Sequence, residues 1–192
     1  MKSVKNYYSF IVFLAFCGLL LVQAAAAQRL LSPQDKKIIA DFEKAAQEYV
    51  ELRERLEEKL PDLPKEATPE QIEAHKVAFQ KSVQSARQTA KQGDLFNSAV
   101  TQIIRGLIKA QFKGQERTEL RKTVLEADTK GVPLKINYPY PDSIELIEMP
   151  PALLLQLPQL PKQLRYRFVG RSLLLVDREN SLIVDYMTNA LP

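Results

Sequence analysis

Three short apolar runs separated by two turn signals make up residues 164–186, which read LRYRFVGRSLLLVDRENSLIVDY. In the first run the apolar residues alternate with Arg165 and Arg167, and a period of two predicts a strand with one covered face. The second run, residues 173–176, is apolar at every position, which predicts a central strand covered on both faces. We therefore predict a three-stranded antiparallel β-meander module over residues 164–192. Because three strands alone bury little apolar surface, other segments must cover them.

The segment before the meander is rich in leucine and proline. Residues 149–161, MPPALLLQLPQLP, contain five leucines among four prolines. Proline excludes a long helix here, so we expect an apolar strap over the core with one helical turn at residues 152–156. Residues 133–141, PLKINYPYP, should be extended because a residue before proline avoids the helical region. Residues 132–163 thus form a predicted extended connector, and residues 149–161 within it are named the leucine–proline strap.

Upstream of the connector, residues 28–131 are predicted to be helical. Ser32 and Pro33 signal the start of a first helix, which Pro61 should end. Its apolar residues recur in steps of three and four, as in a heptad seam: Ile38, Phe42, Ala45, Tyr49, Leu52 and Leu56. The seam predicts a partner helix, either within the chain or in a homodimer formed through helix 33–60.

Further start and stop signals predict more helices in this region. A capping box at residues 68–71 begins the second helix, and Gly93 should end it. Asp94 should cap a strongly apolar third helix. Residues 116–127 should form a short fourth helix. The expected fold is α+β: an N-terminal helical hairpin or three-to-four-helix bundle, followed by the strap and the meander.

The N-terminus has the pattern of a secretory signal peptide over residues 1–27. Two lysines are its only charged side chains, an apolar run covers residues 10–22, and four alanines end at Ala27. We expect cleavage after Ala27 and a bacterial protein that is exported, either periplasmic or extracellular. The alternative is an uncleaved chain anchored in the inner membrane through residues 10–27, an uncharged stretch at the lower edge of spanning length.

Composition limits the chemistry of the mature chain. The one cysteine, Cys17, lies inside the signal segment, so the mature chain has no disulfide, thiol nucleophile or thiolate metal site. The full chain has 27 basic and 23 acidic side chains. The signal removes two lysines and no acid, which leaves a charge of +2. This balance is too mild to favour nucleic acid as a partner, and the sequence indicates no cofactor.

Few residues are candidates for catalysis or metal binding. The chain has no Walker loop, dinucleotide fingerprint, nucleophile elbow or HExxH motif. His75, the only histidine, lies beside the apolar stripe of the second helix, where a packing role is the simpler interpretation. Glu145 with Glu148, or Asp177 with Asp185, could form an acid–base pair, but turns and strand ends commonly carry such acids. We therefore predict no catalytic residue and no metal ligand.

A small basic and aromatic group is the candidate interaction surface. It comprises Arg165, Tyr166, Arg167 and Arg171 of the meander, together with Tyr138 and Tyr140 of the connector. Such a group can meet an anionic partner or be recognised in extended form. Alternatively, the arginines are charges that protect an edge strand, and the tyrosines pin the connector to the domain.

The tail resembles the C-terminal module of uncharacterised exported bacterial proteins. The shared elements are M-P-P at residues 149–151, Y-R-x-V-G-R at residues 166–171, Asp177, and I-V-D at residues 183–185. This resemblance covers about a quarter of the chain and implies no activity.

The final hairpin also has a faint similarity to the periplasmic RcnB-like family, which is linked to nickel and cobalt homeostasis. The shared pattern is a Y-R-x-V strand followed by a short apolar strand ending in Asp and an I-V strand. The tryptophan that the family carries near Tyr166 is absent, and so are its histidine-rich tracts. Metal handling is therefore not carried over from the family.

Together these patterns favour a non-catalytic periplasmic or envelope protein that binds a protein or another envelope component. Two alternatives from other classes remain. One is a metal-responsive periplasmic protein that uses His75 and carboxylates. The other is a carboxylate-dependent hydrolase, which needs two acids to converge in a cleft.

Overall fold

Helices precede a three-stranded antiparallel sheet along the chain, which confirms the predicted α+β class. The computed structural model describes residues 31–111, 118, 122, 124, 132–141, 144 and 149–191. The helices are α1 (Pro33–Glu57), α2 (Pro69–Ala86), α3 (Ser98–Gln111) and the single turn α4 (Pro151–Leu154). The strands are β1 (Leu164–Val169), β2 (Ser172–Asp177) and β3 (Ile183–Met187).

β2 is the central strand, as predicted, and it pairs antiparallel with β1 on one side and β3 on the other. Val169 lies opposite Ser172, so Gly170 and Arg171 form a two-residue hairpin turn. Gly170 takes a φ of +52°, a left-handed conformation that suits glycine because it has no Cβ. All residues of β2 are buried, which requires cover on both faces of the sheet.

Different parts of the chain cover the two faces. On one face the ring of Tyr166 lies 6.5 Å from that of Phe96, which in turn stacks 5.5 Å from Phe42 of α1. On the other face an apolar cluster joins the strands to the connector, and it contains Val132, Tyr140, Val169, Leu174, Val176 and Ile183. The core therefore lies on both sides of β2, with the helices and the leucine–proline strap on one side and the first part of the connector, from Val132 to Tyr140, on the other.

Residues 132–141 of the connector hydrogen-bond to the start of β3. They are not extended throughout, because residues 136 and 137 form a turn in which Asn137 takes a φ of +60°. The Asn137 N–H donates to Ile183 O at 2.8 Å, and the Ile183 N–H donates to Tyr138 O at 2.9 Å. Pro139 forms an isolated antiparallel bridge with Leu182. These bonds satisfy backbone groups that the edge of β3 would otherwise leave exposed.

The buried face of α1 differs from the predicted heptad seam. The seam positions Ala45 and Leu52 are only half-buried. The buried residues are Phe42, Ala46, Tyr49, Val50 and Arg53. A helix that packs on a sheet buries a wide stripe with the 3.6-residue helical period, whereas a coiled-coil partner would need the narrower 3.5-residue seam. The helix ends at Glu57, three residues before the predicted boundary at residue 60.

Asp177, at the end of β2, holds α1 through a buried polar network. Its Oδ2 accepts a hydrogen bond from the Tyr49 hydroxyl at 2.8 Å and lies 3.0 Å from Arg53 Nε. Its Oδ1 accepts the backbone N–H groups of Glu179 and Asn180, which closes the turn between β2 and β3. Asp177 is thus a turn acid, as expected, and also the point where α1 meets the sheet.

Arg53 is almost completely buried, at 1% exposure. Besides Asp177, its guanidinium pairs with Glu57 at 3.1 Å and with Glu179. It also lies over the ring of Phe79 on α2, 4.8 Å from the centroid. Because three carboxylates surround it, the charge is paired where burial would otherwise be costly.

Asp185, on β3, holds the segment between α2 and α3. Its carboxylate accepts backbone N–H groups from Gly93 at 3.0 Å, from Leu95 and Phe96 at 2.8 Å, and from Tyr186 at 2.7 Å. The side chain has no exposed surface. A buried carboxylate is acceptable at this position because it accepts four N–H donors.

The same segment corrects two predictions. α2 begins at the predicted capping box, but it ends at Ala86 rather than at Gly93. The Asn137 side chain donates to the carbonyl of Arg87, so the connector satisfies the end of the helix. The cap of α3 is Asn97 rather than Asp94, because the Asn97 Oδ1 accepts the N–H groups at positions 99 and 100, each at 3.1 Å.

The predicted fourth helix lies largely outside the described residues. Thr118, Lys122 and Val124 are helical, and Val124 is buried in the helix-side core. The predicted helix count and bundle therefore stay predictions. Within the described ranges, no helix is long and apolar enough to cross a membrane.

The Asp185 network predicts a large effect of a small substitution. Asp185→Asn should lower the free energy of unfolding by about 1–3 kcal/mol at pH 7, because the amide NH₂ would face N–H donors instead of accepting from them. Urea unfolding followed by circular dichroism measures this loss. Asp94→Asn is the matched control: Asp94 is exposed and accepts one N–H, from Lys91, so its loss should stay within about 0.5 kcal/mol.

Comparison of wild type with Asp185→Asn also tests how the free energy of unfolding depends on pH. Burial raises the pKa of Asp185 above its ordinary value of 3.8, against the opposing effect of the N–H donors. A carboxyl whose pKa is raised by folding contributes most stability below its unfolded pKa, and this contribution is lost as pH rises through the folded pKa. The stability difference between wild type and Asp185→Asn should therefore be larger at about pH 4 than at pH 7. A difference that grows with pH would contradict this assignment.

Candidate functional site

A cleft of about 460 Å³ lies between the leucine–proline strap and β1. It is named the strap cleft. Its walls are residues 149, 154, 155 and 157–162 on the strap side, residues 164–167 of β1, and Arg178. This volume falls within the range of small-ligand sites, roughly 300–1,000 Å³. Among the described strands β1 is at the edge of the sheet, so the cleft lies beside that edge.

The strap places some leucines in the core and others in the cleft. Prolines restrict its backbone, and α4 provides the single helical turn that was predicted. Leu153 and Leu157, four residues apart on one face, are buried. Leu154 and Leu155 follow directly after Leu153 and cannot share its direction, so they are 49% and 83% exposed.

Three hydrogen bonds fix the strap in place. The Tyr166 hydroxyl donates to Pro158 O at 3.0 Å, and the backbone N–H of Gln159 donates to Glu43 on α1 at 2.8 Å. The N–H of Leu164 donates to Pro161 O at 3.0 Å. Burial raises the pKa of Tyr166 far above its usual range, which keeps its hydroxyl protonated as a donor. The cleft is therefore bounded by a fastened segment.

The charges that line the strap cleft have one sign. Its described lining includes four cationic residues and no carboxylate; the cations are Lys162, Arg165, Arg167 and Arg178. Lys162 and Arg178 are exposed, and the two arginines of β1 are half-buried. With Leu154 and Leu155 beside the exposed Lys162 and Arg178, the cleft combines basic side chains with exposed apolar surface.

Side chains and the strap already occupy much of the outer edge of β1. Arg178 Nε donates to Leu164 O at 3.3 Å, and an Arg167 guanidinium nitrogen donates to Tyr166 O at 3.4 Å. The Leu164 N–H is bonded to the strap, as described above. An added strand needs these groups as partners, so the arrangement hinders strand addition, as arginines at a sheet edge often do.

The structure divides the predicted interaction surface. Arg165 and Arg167 line the strap cleft, whereas Arg171 lies at the hairpin turn and donates to Leu191 O at 3.0 Å. Tyr166 and Tyr140 are only 2% and 4% exposed. The expectation that these two tyrosines are surface contacts is therefore wrong. Tyr166 takes a buried position in the alternating strand β1, and Tyr140 packs in the cluster that joins the connector to the strands.

Tyr138 is the one exposed tyrosine of the predicted group, at 43%. Lys135 lies over its ring, 5.3 Å from the centroid. Tyr138 is not among the described residues that line the strap cleft. It therefore belongs to a separate part of the surface.

Four cleft residues were missed by sequence reasoning: Leu154, Leu155, Lys162 and Arg178. A usable signal existed for the leucines, since one helical turn cannot bury three consecutive side chains. No comparable signal existed for Lys162 and Arg178, which meet only because the strap runs beside β1 and Arg178 follows β2.

Among the described residues, His75 does not belong to a metal-binding cluster. His75 is half-buried beside a cleft of about 500 Å³ that Glu54, Glu57, Glu58 and Asp62 also line. In the described part of the chain, no group of three or more His, Cys, Asp or Glu side chains could hold a metal ion.

Of the acids considered for hydrolysis, Asp177 and Asp185 are not available as a pair in a cleft. Asp177 and Asp185 have no exposed surface, and each accepts several hydrogen bonds in its own network. Glu145 and Glu148 lie outside the described residues.

Comparison with known proteins gives no relative: the chain matches no protein-family model, no curated protein and no solved structure. The resemblances given above therefore rest only on the residues quoted for them. The strap cleft has to be interpreted from its own geometry.

The bond between Tyr166 and Pro158 predicts how the cleft depends on the strap. Tyr166→Phe should lower the free energy of unfolding by about 1 kcal/mol and speed amide exchange in residues 153–157, because the strap loses a buried hydrogen bond. Denaturant unfolding and hydrogen-exchange mass spectrometry measure the two effects. Tyr138→Phe, at an exposed ring, should change neither. Unchanged exchange in the strap of Tyr166→Phe would show that the bond does not fasten it.

Proposed function

We propose that this is an exported, non-catalytic envelope protein that binds an anionic, partly apolar ligand in the strap cleft. The observation that carries the proposal is the combination of two exposed cations, Lys162 and Arg178, with two exposed leucines, and the described lining contains no carboxylate. A ligand with an anionic group and an apolar part complements both features.

Physical reasoning supports a preformed binding site. The strap is restricted by prolines and fastened to both α1 and Tyr166, so a ligand need not order it first. Covering an exposed leucine side chain contributes about 1.5–3 kcal/mol, and cations beside a low-dielectric wall attract an anion more strongly than in open water.

The non-catalytic part of the proposal is supported by the state of the acids. Two of the four carboxylates considered for hydrolysis, Asp177 and Asp185, accept hydrogen bonds within buried structural networks. The metal-responsive alternative, based on His75, finds no supporting cluster among the described residues. Both alternatives remain untested predictions, and neither has a specific observation in its favour.

Export is proposed from the signal pattern in residues 1–27. The apolar side chains of α1 pack within the chain, which supports a monomer rather than a homodimer through helix 33–60. We expect intact-mass spectrometry of periplasmic protein to give a chain that starts at Gln28, and light scattering to give a monomer. A full-length mass would favour the inner-membrane anchor, and a dimer would require a second interface.

Ligand binding is tested with decanoate, an anionic amphiphile used below its critical micelle concentration. Calorimetry should show binding to the purified protein and weaker binding of the uncharged octyl glucoside. Leu155→Ser and Lys162→Glu should each weaken decanoate binding about tenfold, as expected for the loss of one good contact. Ile72→Ser and Lys81→Glu alter an exposed apolar and an exposed cationic residue of α2, so they are matched controls.

The outcome that would overturn the proposed function is clear. If wild type gives no binding heat, or if the cleft variants bind as wild type does, the strap cleft is not a site for anionic amphiphiles.

A further inference from the structure

We infer that the strap cleft docks the protein on the surface of an anionic lipid bilayer. The inference rests on the proposed function, because it uses the same cleft and names the partner. The contact is peripheral: an apolar tip enters the boundary between head groups and acyl chains while neighbouring cations meet anionic head groups.

The apolar tip is formed by Leu154 and Leu155. Exposed large apolar side chains in the described residues are Leu63, Ile72, Tyr138, Leu154 and Leu155. Two of the five are therefore adjacent on one helical turn, and Leu155 is the most exposed of them at 83%. The prolines on either side of α4 hold this tip in a fixed conformation.

The cations lie in the same cleft as the tip. Lys162 and Arg178 line the cleft and are exposed. Basic side chains beside an apolar contact are attracted to an anionic leaflet within about a Debye length, about 10 Å at moderate salt. The charge of the cleft thus complements the head groups that the leucines would lie beneath.

Two features favour a bilayer over other partners. Edge groups of β1 are bonded to Arg167, Arg178 and the strap, which disfavours a peptide added as a strand. Leu154 and Leu155 are adjacent and are 49% and 83% exposed, so a surface broader than one ligand chain can cover both at once. A bilayer surface covers both the exposed leucines and the cationic rim.

The test is co-sedimentation of the purified protein with phosphatidylcholine vesicles, with and without about one-third phosphatidylglycerol. The wild type should partition onto the anionic vesicles at least about tenfold more strongly, and raising NaCl from about 0.05 to 0.5 M should reduce binding because salt screens the cations. Leu155→Ser and Lys162→Glu should reduce partitioning about tenfold or more, whereas Ile72→Ser and Lys81→Glu should not. Circular dichroism shows that each variant is folded.

The outcomes separate this inference from the proposed function. Decanoate binding without vesicle binding would overturn bilayer docking and assign the cleft to a single enclosed amphiphile. Loss of both would overturn both proposals. Equal binding to neutral and anionic vesicles, or unchanged vesicle binding by Leu155→Ser, would also overturn docking through the strap cleft.

Discussion

Two buried carboxylates determine how the helices meet the sheet. A carboxylate removed from water must find donors inside the protein, and Asp177 and Asp185 find them in the helical region. Asp177 receives the Tyr49 hydroxyl and pairs with Arg53, which fixes α1 at the end of β2. Asp185 receives N–H groups from the segment before α3. The apolar core fills the space between these two fixed points, so its packing depends on them.

The candidate site depends on the same framework. Once α1 is fixed, its Glu43 is positioned to accept the N–H of Gln159, and the strap follows the helix on one side and β1 on the other. Tyr166 has its ring in the core and its hydroxyl on the strap. The shape of the cleft is therefore a property of the folded domain rather than of the strap alone.

Local patterns in the sequence predicted the strands, the capping box of α2 and the helical turn in the strap, because short-range sterics and periodicity determine them. They failed where distant residues act. The buried Arg53 pairs with Asp177 and Glu179, more than 120 residues away. The carbonyl of Arg87 at the end of α2 accepts a hydrogen bond from the Asn137 side chain. The alternating sequence of β1 does indicate that Tyr166 is buried, because Leu164 and Phe168 lie on the same face of the strand. The strap cleft forms where the strap and β1 lie side by side, and no local sequence pattern predicts that contact.

The leucines in and directly after α4 are under two different evolutionary constraints, although they are neighbours in the sequence. Leu153 and Leu157 fill the core, so substitutions there are limited by folding. Leu154 and Leu155 face outward and bear little of the fold's stability. Selection can therefore alter the apolar tip without disturbing the framework held by the two aspartates. Related chains should keep the inward leucines while the outward pair changes with the surface that each one meets.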